Sequence, residues 1–115
     1  MKKWVAVIAL GGTLAAGAAY ADTMANAAGN TIVVTYANGA VARYHFNDDS
    51  TFSVTLPDGA TTSGAYEVAG DQICLTPTGG ERACTGYVGD KNVGDTWTQT
   101  GTDGSAISVT LQAGR

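Results

Sequence analysis

Glycine-containing turn signals recur at short intervals between Thr31 and Leu111 and divide this part of the chain into short β-rich runs. The signals are Asn38-Gly39, Pro57-Asp58-Gly59, Gly70-Asp71, Thr78-Gly79-Gly80 and Asp103-Gly104. Two β-rich runs that flank such a short signal are typical of an antiparallel hairpin. The spacing therefore predicts an all-β fold of about eight short antiparallel strands, joined in sequence order as an up-and-down meander.

Turn length predicts which side chains share a face, because neighbouring residues of a strand point to opposite faces. A three-residue loop at residues 37–39 puts Val34 on the same face as Tyr44, whereas a two-residue loop would place Val34 opposite Arg43. Applied along the chain, this test predicts one apolar and one polar face, as in a small barrel or a flattened sandwich. The predicted strands cover residues 31–36, 41–46, 51–56, 61–68, 72–76, 82–87, 96–100 and 105–111. The predicted inward side chains are Ile32, Val34, Tyr36, Tyr44, Phe46, Phe52, Val54, Leu56, Tyr66, Val68, Ile73, Leu75, Trp97, Ile107, Val109 and Leu111.

The two cysteines of the chain fit the same pattern. If residues 78–80 form the loop, Cys74 lies directly opposite Cys84, at a distance that suits a disulfide bond on the outer side of the sheet. The spacing is not Cys-x-x-Cys, and no further Cys or His suggests a thiolate metal site, so a structural disulfide is predicted.

The N-terminus has the three parts of a secretory signal peptide. Lys2 and Lys3 precede an apolar stretch, and Ala19-Tyr20-Ala21 offers small residues for cleavage before Asp22. We therefore predict a cleaved signal peptide at residues 1–21, a flexible leader at 22–30 and a single β domain at 31–115; an uncleaved membrane anchor is the alternative. The expected localisation is periplasmic or secreted, with no membrane association after cleavage.

Cleavage would leave four basic residues against ten acidic ones, a net charge of −6. Such an acidic chain lacks the basic surface that binds nucleic acid or anionic lipid. We therefore expect no nucleic-acid partner. A closed barrel leaves no exposed sheet edge for association, so we also expect a monomer.

Residues that could support catalysis are sparse. His45 is the only histidine and falls on a predicted outward position, while Asp48 and Asp49 fall in a predicted turn, where aspartate is common for structural reasons. A hydrolase that groups His45 with carboxylates is the remote enzymatic alternative. We predict no enzymatic activity, no catalytic residue and no cofactor.

The longest interruption of the hairpin pattern, residues 87–95, is the candidate binding loop, because long connections often carry function. Its candidate residues are Asp90, Lys91, Asn92 and Asp95. Asp90 and Asn92 match the start of a calcium loop, but Gly94 replaces the next oxygen ligand, so no metal is predicted.

The predicted inward face is rich in aromatic side chains. Tyr36, Tyr44, Tyr66 and Trp97 are candidates for a ligand pocket. Such a set more often fills the interior of a small barrel, and a filled core is the favoured interpretation.

Two resemblances add to this picture. The run from Thr62 to Leu75, with Gly64 before Tyr66 and a Gly70-Asp71 turn before Cys74, resembles a pattern of small exported bacterial β proteins and implies no activity. The order Val34-Thr35-Tyr36, Gly39 and Ser63-Gly64-Ala65-Tyr66 is similar to periplasmic C-type lysozyme inhibitors, which are small barrels, although Ala37 stands where those proteins usually have a cysteine.

The sequence favours a non-enzymatic β domain that binds a macromolecular partner in the cell envelope, as an inhibitor or accessory protein. This hypothesis rests on the export signal, the small core and the lack of a recognisable catalytic set. The alternative is a lipocalin-like carrier of a small apolar ligand, which requires a cavity between the aromatic side chains.

Overall fold

A computed structural model describes residues 22–115 as one antiparallel sheet with a short helix before it; the predicted signal peptide lies outside these residues. No helix within the described range has the length and apolar character needed to cross a membrane. The elements are α1 (Thr23–Ala27), β1 (Thr31–Thr35), β2 (Val41–Phe46), β3 (Thr51–Thr55), β4 (Thr61–Ala69), β5 (Gln72–Pro77), β6 (Ala83–Gly86), β7 (Thr96–Thr100) and β8 (Ala106–Gln112).

The eight strands form a nearly closed barrel in the order β6-β5-β4-β3-β2-β1-β8-β7. Strands β1 to β6 follow one another as a meander, and β8 pairs with β1 while β7 lies outside β8. This leaves β6 and β7 as the two end strands. They meet at a seam where side chains bond to the backbone: the Thr85 hydroxyl donates to the Thr100 carbonyl at 2.7 Å, and Gln99 Nε2 donates to the Gly86 carbonyl at 2.7 Å.

The predicted registers are confirmed. Ile32 pairs with Tyr44, Val34 with Ala42, and Val54 with Thr62. Gly39 has φ +87°, a left-handed conformation that side-chain-bearing residues rarely adopt, as the three-residue loop requires.

The predicted disulfide is also confirmed. Cys74 pairs with Cys84 across β5 and β6, and their Cα atoms are 4.0 Å apart. The bond joins the end strand β6 to the body of the sheet, which restrains one side of the seam.

The inward face forms the core, with one exception to the prediction. The sequence places Val68 inward, but its side chain is 37% exposed. Strand β4 pairs with β3 as far as Ala65, and the Tyr66 N–H still donates to the Ser50 carbonyl, so residues 67–69 pair with β5 alone. Alternation therefore predicts the face of Val68 but not its burial.

The segment predicted as a flexible leader contains α1 instead. The Asp22 carboxylate caps the helix by accepting from the backbone N–H groups of Met24 and Ala25 at 3.2 and 3.4 Å. Thr23 and Ala27 are buried, and Ala27 is fully inaccessible to solvent within the core. Because one turn of helix is unstable alone, the stability of α1 depends on these tertiary contacts.

Candidate functional site

A cavity of about 470 Å³ lies inside the barrel. Each of the eight strands contributes at least one lining residue, and most of these side chains are apolar, including Val34, Phe52, Val54, Ile73, Ile107 and Val109. Its volume is within the range of about 300–1,000 Å³ that is typical of small-molecule sites. The sequence favoured aromatic side chains that fill the barrel, whereas the structure leaves a cavity beside two of them, Tyr36 and Tyr44.

The cavity opens at the barrel end remote from α1. In a meander, alternate loops lie at the same end, so the loops at residues 36–40, 56–60, 78–82 and 101–105 surround one opening. Glu81 and Thr102, from two of these loops, line the cavity. We call this opening the mouth.

Helix α1 lies at the opposite end, against the long connection between β6 and β7. Thr23 is 3% exposed; its hydroxyl donates to the Val88 carbonyl at 2.5 Å and accepts from Lys91 N–H at 3.0 Å. Asn26 Nδ2 donates to the Lys91 carbonyl at 2.9 Å. These bonds fix the helix beneath the core, so this end of the barrel is covered.

Two tyrosines supply polar groups to the cavity. Tyr36 and Tyr44 both line it, as the sequence suggested for a pocket. Burial, and to a lesser extent the adjacent Tyr36 side chain, raise the pKa of Tyr44 above its ordinary value of 10.0. A tyrosine hydroxyl is protonated at neutral pH even at its ordinary pKa, so these groups can act as hydrogen-bond donors.

The other two predicted aromatics do not line this cavity. Tyr66 packs edge-on against Phe46, with ring centroids 5.1 Å apart, and its hydroxyl donates to the Asn47 carbonyl at 2.8 Å. Trp97 Nε1 donates to Gln99 Oε1 at 2.8 Å. Both belong to the packed part of the barrel and its seam.

Thr85 and Gln99 are cavity-lining residues that sequence reasoning did not single out. Alternation placed Gln99 on the inward face, where a polar side chain conflicts with an apolar core. That conflict was the available signal. The structure explains it, because both side chains bond to backbone carbonyls across the seam.

The candidate loop has a structural arrangement. Asn92 N–H donates to Asp95 Oδ2 at 2.8 Å, and Asp95 N–H donates to the Asn92 carbonyl at 3.0 Å, which closes a tight turn. Lys91 Nζ lies 5.6 Å from the centroid of the Trp97 ring. Asp90 is exposed in the same loop. All four candidates lie at the end covered by α1, away from the mouth.

His45 and the carboxylates of the following turn have local interactions that shift two of their pKa values. Partial burial, and then the nearby Arg115 guanidinium, hold the pKa of His45 below its usual value. Asp49 Oδ1 accepts from both the backbone N–H and the hydroxyl of Thr51, which lowers the pKa of Asp49. Within residues 22–115, no group of three or more His, Cys, Asp or Glu side chains could hold a metal ion.

A second, shallower depression lies on the barrel wall. It has a volume of about 720 Å³ and is lined by residues of β3, β4, β5 and the β5–β6 loop, among them Ser53, Ser63 and Thr78. Ser63 and Ser53 face each other across β3 and β4. We call this surface the serine groove.

Comparison with known proteins gives no relative: no family model, no curated protein and no solved structure matches this chain.

Proposed function

We propose that this chain is an exported, non-enzymatic binding protein that holds a small apolar molecule inside its barrel. The observation that carries the proposal is the 470 Å³ cavity with its largely apolar lining. Of the functions considered from the sequence, the carrier is the one that requires a cavity between the aromatic side chains. The proposal of export rests on the signal-like residues 1–21.

The surroundings of the cavity support a preformed site. One end of the barrel is covered by α1, and Thr85 and Gln99 bridge the seam. A ligand would exchange its hydration for contact with buried side chains such as Phe52 and Val109, a gain of about 25 cal/mol for each Å² of apolar surface removed from water. A wall fixed in advance lowers the ordering cost of binding.

Native mass spectrometry of the protein recovered from the periplasm tests this proposal directly. We expect a reproducible mass above that of the processed chain. Organic extraction should release the bound molecule that accounts for the difference. The uncharged probe N-phenyl-naphthylamine, whose emission rises in apolar surroundings, should bind the extracted protein. A measured mass equal to that of the processed chain, together with unchanged probe emission, would refute the carrier function.

A matched pair of variants locates the bound probe. Ala83 lines the cavity from the end strand β6, so Ala83→Trp should fill part of it and weaken probe binding about tenfold or more. Thr98 is exposed on β7, opposite the outward Ser108, so Thr98→Trp adds the same ring to the outside and should leave binding unchanged. Equal binding by both variants would mean that the probe binds elsewhere.

We also propose, as a second candidate, that a macromolecular partner in the cell envelope binds the serine groove. The supporting observation is the concave, hydroxyl-rich surface at Ser63, the residue within the stretch similar to the lysozyme inhibitors. Crosslinking and retrieval of the processed protein from envelope extracts tests it. A specific partner that is lost with Ser63→Arg, while Thr98→Arg retains it, is expected; equal recovery by both variants contradicts it.

A further inference from the structure

We propose that the cavity takes amphiphiles with an uncharged or positively charged head group and rejects apolar carboxylates of the same length. This inference rests on the proposed function and specifies its ligand class. It follows from the charges at the mouth and from the polar groups inside.

The charge at the mouth is negative. Among the residues that line the cavity, Glu81 carries the one formal charge. The neighbouring loops of the mouth add Asp58 and Asp103, both exposed. Each of these two carboxylates accepts a hydrogen bond of 3.0 Å from a backbone N–H of its own turn, which fixes the side chain against its loop.

Arg82, the basic residue closest in sequence to Glu81, points away from the cavity. Arg82 Nη2 lies 3.1 Å from Glu67 Oε1, in an ion pair on the outer side of β4. Both side chains are more than half exposed, so the pair is weak, but it orients the guanidinium toward a carboxylate outside the cavity. An entering carboxylate would therefore meet Glu81 without a cation in the lining.

Inside the cavity, the polar groups suit a neutral acceptor. The Tyr36 and Tyr44 hydroxyls adjoin each other in the lining, and this pair can donate to a hydroxyl, ether or carbonyl oxygen. A buried carboxylate needs a paired cation or several strong donors to offset its lost hydration, and the lining residues include no Lys, Arg or His. An anionic head is thus disfavoured both at the mouth and within.

Three probes of equal chain length test the selectivity: decanol, decylamine and decanoate, each displacing N-phenyl-naphthylamine from the processed protein at low ionic strength. Decanol and decylamine should compete, and decanoate should be weaker than decanol on the order of tenfold or more. We call the difference between the affinities for decanol and decanoate the gap. Added salt should narrow this gap, because the charges of the mouth are exposed to solvent and are therefore screened.

A matched pair of charge reversals assigns the selectivity to the mouth. Glu81→Lys should strengthen decanoate binding and narrow the gap. Asp71 is exposed in the β4–β5 turn at the other end, so Asp71→Lys makes the same change of net charge and should leave the gap intact. Thermal unfolding of both variants checks that they are folded.

The outcomes separate the two proposals. If probes bind but decanoate competes as well as decanol, or if both lysine variants change the gap equally, the inference on ligand class fails and the carrier function stands. If neither the fluorescent probe nor any of the three amphiphiles binds, both fail.

Discussion

Replacing Gly64 with alanine should destabilise the barrel more than any other glycine-to-alanine change within its strands. Gly64 lies in β4 between Phe52 on β3 and Pro77 on β5. A Cβ atom at this position would lie 2.2 Å from the Thr76 carbonyl oxygen and 2.7 Å from Pro77 Cα. Both obstacles are backbone atoms, so a side-chain rotation cannot relieve the contact.

The cost can be worked from these distances. Ordinary contact begins near 3.4 Å, so β5 must move away from β4 by roughly 1 Å at this point. The movement strains a packed interior, at about 1–3 kcal/mol, and lengthens the neighbouring bond from Thr78 N–H to the Ser63 carbonyl, now 2.9 Å, at about 1 kcal/mol. We expect Gly64→Ala to lower the free energy of unfolding by about 2–4 kcal/mol. For a domain of this size, that corresponds to a fall in Tm of roughly 10–25 °C.

Urea unfolding followed by circular dichroism measures this difference, with Gly86→Ala as the matched control. Gly86 is also a strand residue, but its added Cβ would meet nothing within 4 Å. Because alanine restricts the unfolded chain, Gly86→Ala should be neutral or stabilising by about 0.5–1 kcal/mol. If Gly64→Ala lies within about 0.5 kcal/mol of wild type, the reasoning from close backbone approach is refuted.

Three further predictions concern stability. Reduction of the Cys74–Cys84 bond, whose cysteines are 10 residues apart, should lower the free energy of unfolding by at most about 3 kcal/mol, as measured by urea titration with and without reductant. Thr23→Val removes two hydrogen bonds at α1 and should cost about 1–3 kcal/mol, whereas an unchanged urea midpoint would show that the helix does not contribute. Because the pKa of Tyr44 is raised in the folded state, its protonated hydroxyl contributes fully to the free energy of unfolding below about pH 10, and this contribution is lost as the pH rises further. In alkaline titrations, the free energy of unfolding of Tyr44→Phe should therefore fall less steeply with pH than that of wild type.

The hairpin pairings and their registers were predictable because each tight turn confines the pairing to a few alternatives, whereas the long connection between β6 and β7 left their lack of pairing unpredicted. A shift of one residue exchanges the two faces, so the choice at residues 37–39 between Val34 facing Ala42 and Val34 facing Arg43 was decisive. The same argument placed Cys74 opposite Cys84. Val68 was misjudged because burial depends on how far the neighbouring strand β3 extends, which alternation does not report.

Helix α1 was not predictable because its stability is non-local. Five residues without a hydrophobic period give no helical signal beyond the capping Asp22, and such a cap is common in loops. What holds the helix is the pairing of Thr23 and Asn26 with backbone groups of residues 88–91, which are more than 60 positions away in sequence.

The cavity illustrates the same limit and connects it to function. Alternation identifies inward side chains, but the space between them depends on how widely the sheet curls, and that width is set by strand tilt and stagger around the whole barrel. Here β6 and β7 are the two ends of the sheet, and the side chains of Thr85 and Gln99 bridge the seam between them. In this chain the cavity opens on the side of the mouth, where Glu81 lies, while α1 covers the other end.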